Sequence, residues 1–164
     1  MQTTKLKVNW STSVTVITLT TSVVLLVATG FMIKLLYDNL GSPILNAVFV
    51  IIVMGTFLYL ALQLPRYIIL TDDKLIVKKL FGTFSIERSK IKHIESYMPD
   101  SSEIRLFGSS GLFGYLGKFS NAKIGSYRSF VCDFKQAFLI QTFDRKNYVF
   151  SCENRDLIIS QLKK

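Results

Sequence analysis

Residues 13–33 read SVTVITLTTSVVLLVATGFMI and residues 40–65 read LGSPILNAVFVIIVMGTFLYLALQLP. Neither stretch contains a charged side chain, and only residues 34–39 lie between them. An α-helix crosses the hydrocarbon core of a bilayer in roughly 20 apolar residues, so both runs are long enough to span. Pro43 stands where a first helical turn tolerates proline, and Pro65 stops the second run. The threonines and serines of the first run lower its hydropathy, but their hydroxyls bond back to helix carbonyls and cost less in lipid than a charge. Tyr37 and Tyr59 lie near the ends of the runs, where interfacial aromatics are common. The expectation is a transmembrane helical hairpin over 13–65. A cleaved signal sequence fits poorly, because its apolar region is roughly 7 to 15 residues and ends in a small-x-small site. A buried soluble hairpin would need a larger surrounding core than residues 66–164 supply.

The positive charges set an orientation, since Lys and Arg are retained on the cytoplasmic side. Lys5 and Lys7 precede the first run, and Arg66, Lys74, Lys78 and Lys79 follow the second. The connecting residues 35–42 carry no Lys or Arg, and Lys34 at their edge can snorkel. Both termini are therefore expected in the cytoplasm of a bacterium, with the spans in its inner membrane. The layout is a cytoplasmic N-terminal tail over 1–12, the hairpin over 13–65 and one domain over 66–164. That last region holds 17 Lys or Arg against 10 Asp or Glu, +7 of the chain's +9. Such a charge suits an anionic lipid surface, at about 1 kcal/mol per cation that points at it, and it equally suits the topological bias of cytoplasmic segments.

Beyond residue 65 the dominant pattern is period-two alternation, as in TFSIE at 83–87 and AFLIQTF at 137–143. Residues 67–70 and 75–80 are joined by a turn at Thr71–Lys74, and Phe81-Gly82 makes the next. DRKN at 144–147 folds the strand at 137–143 back on YVFS at 148–151 as an antiparallel hairpin. The end of the chain, ENRDLIISQLKK at 153–164, is acidic early and basic late, as the helix macrodipole favours. About seven antiparallel strands in sequential hairpins, closed by a C-terminal capping helix, predict an open β-barrel or two orthogonal sheets. The fold class is α+β, membrane-anchored.

These residues resemble a known family. The run at 66–95, RYIILTDDKLIVKKLFGTFSIERSKIKHIE, is similar to the start of bacterial pleckstrin-homology-like domains, in which a Thr-Asp turn joins the first strands and an Ile-x-x-Ile step follows the third. FGYLGKFSN at 113–121 and GSYR at 125–128 resemble small two-span bacterial membrane proteins carrying that domain. The resemblance implies a PH-like barrel over 66–164 and a membrane-anchored binding or scaffolding module, not an enzyme, acting in protein–protein or lipid-surface interaction. Phosphoinositide-binding relatives carry Lys and Arg around the turn joining the first two strands. Here that turn holds Asp72 and Asp73, which would repel a phosphorylated headgroup.

FGSSGLFGYLGKF at 107–119 is the most unusual segment of the domain, with glycine at 108, 111, 114 and 117. Its apolar residues exclude a solvated linker and its glycines oppose a helix. An internal loop on the barrel, insertion into the membrane interface and a partner surface all fit. The candidate membrane or partner contacts are Phe107, Leu112, Phe113, Tyr115, Leu116 and Phe119. Arg105, Lys118, Lys123 and Arg128 flank them as candidate headgroup contacts, or else lie on solvent-facing sides of strands.

No catalytic set is assembled. His93 is the single histidine, and Cys132 and Cys152 form no Cys-x-x-Cys and read as buried thiols in a reducing compartment. No phosphate loop or dinucleotide fingerprint occurs, and no metal or cofactor is expected. The scattered basic residues match no nucleic-acid motif. The spans hold no Asp, Glu, Lys or Arg, against an ion path, and Gly30 and Gly55 form no Gly-x-x-x-Gly pair. Protein partners, a homo-oligomer and anionic headgroups remain the expected associations, with an accessory subunit of a transporter or membrane enzyme as the alternative function.

Overall fold

The computed structural model describes residues 3–38 and 42–163. The chain opens with a short strand, β1 (Thr4–Lys7), followed by two helices, α1 (Thr12–Tyr37) and α2 (Pro43–Leu62). Nine strands come next: β2 (Pro65–Leu70), β3 (Lys74–Lys79), β4 (Thr83–Glu87), β5 (Ile91–Ser96), β6 (Ile104–Gly111), β7 (Gly114–Asn121), β8 (Gly125–Val131), β9 (Ala137–Thr142) and β10 (Asn147–Ser151). Helix α3 (Arg155–Lys163) ends the chain and packs on β5 and β9.

Both long helices match the uncharged runs. Ser11 caps α1 by accepting the Val14 N–H at 3.3 Å, and the Thr15, Thr20 and Ser22 hydroxyls donate to carbonyls one turn earlier. Each helix is long and apolar enough to cross a membrane, and neither is enclosed by the rest of the chain. Leu26, Val27, Leu45 and Ile51 stand exposed, unlike the core helix of a soluble protein.

The strands form a four-stranded sheet, β1-β2-β3-β4, and a six-stranded sheet, β5-β9-β10-β8-β7-β6. Three features differ from the sequence reading. The strands form two sheets, the second of the two expected arrangements, but β2–β10 make nine strands among the described residues rather than about seven, because the glycine-rich segment folds as the β6–β7 hairpin. The strands are not all antiparallel neighbours in sequence, since β8 pairs with β10 in parallel. Residues 4–7, read as part of a tail, pair with β2 in the register Lys5↔Ile69. Glu153 fixes this strand further, its carboxylate accepting the Lys7 N–H at 3.1 Å and its own N–H donating to the Lys7 carbonyl at 2.9 Å.

Alternation along the strands places the core between the sheets. Ile68, Leu75, Val77 and Ile86 of the smaller sheet meet Phe130, Phe138, Ile140 and Phe150 of the larger, and Ile158 of α3 closes one end. The outer face of the larger sheet carries a second buried cluster containing Tyr97, Phe119, Tyr127, Leu139 and Val149. There the Tyr97 and Tyr127 hydroxyls donate to the Glu103 carboxylate, and the Asn121 amide donates to it at 2.8 Å. Burial, then this carboxylate, pushes both phenols well above their ordinary range.

Backbone hydrogen bonds join the helical pair to the sheets at both ends. Ser11 N–H donates to the Cys132 carbonyl at 3.0 Å beside the start of α1. At the end of α2, where carbonyls lack helical partners, the β3–β4 turn supplies donors: Phe81 N–H to Leu62 O at 3.0 Å and Leu80 N–H to Leu64 O at 2.7 Å.

Candidate functional site

A six-stranded sheet facing a four-stranded one leaves part of its inner face uncovered. On that remainder a row of cross-strand neighbours runs Phe107, Lys118, Arg128 and Tyr148 across β6, β7, β8 and β10. The last turns of α2, with Tyr59, Leu60 and Gln63, stand over it. Between helix and sheet lies an open cavity of about 600 Å³, and none of its lining residues is acidic.

The cations in this cavity are held in different ways. The Arg128 guanidinium lies over the rings of Phe84 and Phe130, 5.1 and 5.0 Å from their centroids, a cation–π contact. Lys118 stands directly opposite it on β7, so two like charges face each other across neighbouring strands. Arg145, in the β9–β10 turn, adopts a positive φ of 59°, uncommon for a residue with a Cβ. Lys146 beside it is neutralised by Asp144 at 2.7 Å. Outside the lining, Lys79 donates to the side chain of Gln63 at 2.6 Å. Burial, and then the Arg128 charge, lowers its pKa.

The β6–β7 hairpin shapes the cavity and docks the helices. Gly117 has a φ of 132°, and a Cβ there would lie 2.2 Å from the Phe107 carbonyl oxygen. Gly111 allows the hairpin to meet α1, since a Cβ there would come within 2.9 Å of Ile17. At the tip, Phe113 packs edge-on against Trp10 and Phe57 at 6.2 and 5.0 Å, and its N–H donates to Thr18 Oγ1 at 2.9 Å.

The ten residues singled out from sequence therefore occupy several environments. Phe107, Leu116, Lys118 and Arg128 share the cavity. Leu112 and Phe113 form the hairpin turn, with Phe113 buried against the helices. Tyr115 packs on Phe134 at 4.5 Å, while Phe119 stacks on Tyr127 within the outer cluster. Arg105 is exposed opposite Phe119, and Lys123 is exposed in an ion pair with Asp100 at 3.2 Å. Tyr59, Leu60 and Arg145 complete the cavity and were not anticipated, because no local pattern links them to Arg128.

A second opening, at the β2–β3 turn, has the opposite character. Asp72, Asp73 and Glu87 line it together with Lys74 and Arg88, and the Arg88 guanidinium donates to the Gln161 carbonyl at 2.7 Å. The turn is built as expected, with Thr71 Oγ1 accepting the Lys74 N–H at 3.1 Å.

Two sheets closed by a C-terminal helix are the expected frame of a PH-like fold, and residues 66–164 match the family described as Bacterial PH domain. The chain belongs to the bacterial PH domain family. The matched residues run from β2 to the end of the chain, so β1 is a strand added to the PH domain from the far side of the helical pair. No curated protein and no solved structure matches the chain. PH domains are typically binding modules, and the other reactive side chains have ordinary surroundings: His93 is exposed beside Glu95 at 3.4 Å, and Cys132 and Cys152 are free and buried. Burial pushes these thiols up to about 12 and about 11, away from the thiolate.

Proposed function

We propose that this protein is a membrane-anchored binding module, with its PH domain held against the cytoplasmic face of a bacterial inner membrane to engage headgroups or protein partners there. The observation that carries the reading is the pairing of β1 with β2. The chain leaves one strand of the sheet, passes through two apolar helices and returns to the neighbouring strand. A helical pair bracketed in this way enters and leaves a bilayer from one side. Its exposed apolar surface suits lipid, where each helix satisfies its backbone internally. Lys5, Lys7, Arg66, Lys78 and Lys79 lie at the sheet end of the helices, and the described end of α1 on the other side carries Lys34 and Asp38, as the positive-inside bias requires.

Reporter fusions test the reading. A fluorescent reporter at Lys164 is expected to be active and a periplasmic phosphatase inserted after Asp38 is also expected to be active. A phosphatase that works at Lys164, or a chain removed from membranes by alkaline carbonate, contradicts it. Co-purification of a stoichiometric larger membrane protein would favour the accessory-subunit alternative.

A further inference from the structure

We infer that the cavity between α2 and the six-stranded sheet binds the phosphate group of one anionic phospholipid. This deepens the membrane-anchored reading and rests on it. The first support is charge without compensation. Lys118, Arg128 and Arg145 meet in one cavity whose lining holds no acid, and none has a carboxylate partner among the described residues, whereas Lys146 in the same lining is paired with Asp144. Like charges directly opposite on adjacent strands destabilise a sheet, so the Lys118–Arg128 pair is costly unless an anion lies between them. The second support is preorganisation. Phe84 and Phe130 lie 5.1 and 5.0 Å from the Arg128 guanidinium and favour its position by cation–π attraction, and none of the guanidinium N–H donors is hydrogen-bonded among the described residues. That arrangement leaves a planar fork with the geometry of a phosphate contact.

The third support is the polarity of the walls. Tyr59 and Leu60 belong to the same helix whose apolar surface continues toward Ile44, and Phe107 is exposed at the opposite rim. A ligand with a charged head and apolar tails would place its phosphate on the sheet and its acyl chains along α2. A volume near 600 Å³ accommodates a phosphoglycerol group, within the usual range of about 300–1,000 Å³ for small-molecule sites. Three uncompensated cations favour a phosphate monoester over a diester.

The test uses the full chain in a neutral maltoside detergent, titrated with dioctanoyl phosphatidic acid, phosphatidylglycerol, phosphatidylcholine or inorganic phosphate, and read by native mass spectrometry and thermal shift. The expected result is a single phosphatidic acid adduct, weaker phosphatidylglycerol binding and no phosphatidylcholine adduct. Lys118→Gln should weaken the adduct about tenfold, the size of one charge-assisted hydrogen bond, while leaving the lipid-free melting temperature unchanged or raised. Arg145→Gly provides a second variant that suits the backbone at φ 59° and should fold at least as stably while also binding less. Equal binding by wild type and both variants overturns the inference. So does inorganic phosphate that binds as tightly as the lipid, which would assign the site to a soluble anion. So does an acidic protein captured by wild type and lost from Lys118→Gln while lipid binding stays constant. A chain that carbonate strips from membranes overturns the anchor itself, whereas an anchored chain with unaltered variants overturns only the phosphate site.

Discussion

The β2–β3 turn and the cavity beside α2 are two polar openings in one domain, and they differ in charge and in what surrounds them. The turn presents Asp72 and Asp73, away from the helices by the length of β2. The cavity presents Lys118, Arg128 and Arg145 beneath the last turns of α2, with no acid in its lining. The turn that the family resemblance would make a phosphate site is thus acidic here, while the cations collect on the other sheet, at β7, β8 and the β9–β10 turn. The fold fixes where openings form; the residues placed in them, and their distance from the apolar helices, decide what each can bind.

Both openings depend on the shared core. Phe150→Ala is expected to destabilise the chain by about 3–5 kcal/mol, seen as a lower melting temperature and loss of both openings together, because Phe150 is fully buried between the sheets. Gly117→Ala acts on the cavity side alone. Strain at φ 132° costs about 1–3 kcal/mol, and the added Cβ separates β6 from β7, so hydrogen exchange should rise in that hairpin and not in β2–β3.

Raised pH acts on the core through Cys132 and Cys152. Their folded pKa values of about 12 and about 11 lie above the ordinary 9.0, so the folded state holds the thiol proton more tightly. Stability from this source is complete below pH 9.0 and is lost as pH rises through the folded values, which urea titrations at pH 8 and pH 10.5 would measure. A Cys132→Ser, Cys152→Ser chain should lose that added slope. The smallest effect is expected at Lys123, whose pair with Asp100 is exposed: Lys123→Ala should leave the melting temperature and lipid binding unchanged, in contrast to Lys118→Gln.

Much of this architecture is written locally. The uncharged runs and Pro43 locate the helices, and alternation at 83–87 and 137–143 gives strands because each pattern is complete within a few residues. β1 is harder to read, since Thr4–Lys7 is four residues long and its partner lies some sixty positions away, beyond both helices. The β6–β7 hairpin is hidden for another reason. Glycine at 108, 111, 114 and 117 suppresses intrinsic strand propensity, yet close cross-strand approach at Gly108↔Gly117 requires it. Lys118 and Arg128 are legible as a basic pair near an apolar segment. Their convergence with Tyr59 and Arg145 is not, because it depends on the parallel β8–β10 pairing and on where α2 ends.

In the proposed arrangement the domain rests on the bilayer by its helix-proximal end, with the cation-lined cavity facing lipid and the acidic turn facing away. Single cysteines at Phe81, in the turn beside α2, and at Asp72 offer direct reporters, because the two native thiols are buried and label slowly. With an environment-sensitive dye at each position and full-length protein in vesicles containing spin-labelled lipid, the account predicts strong quenching at 81 and little at 72. Equal quenching at both, or stronger quenching at 72, would contradict it.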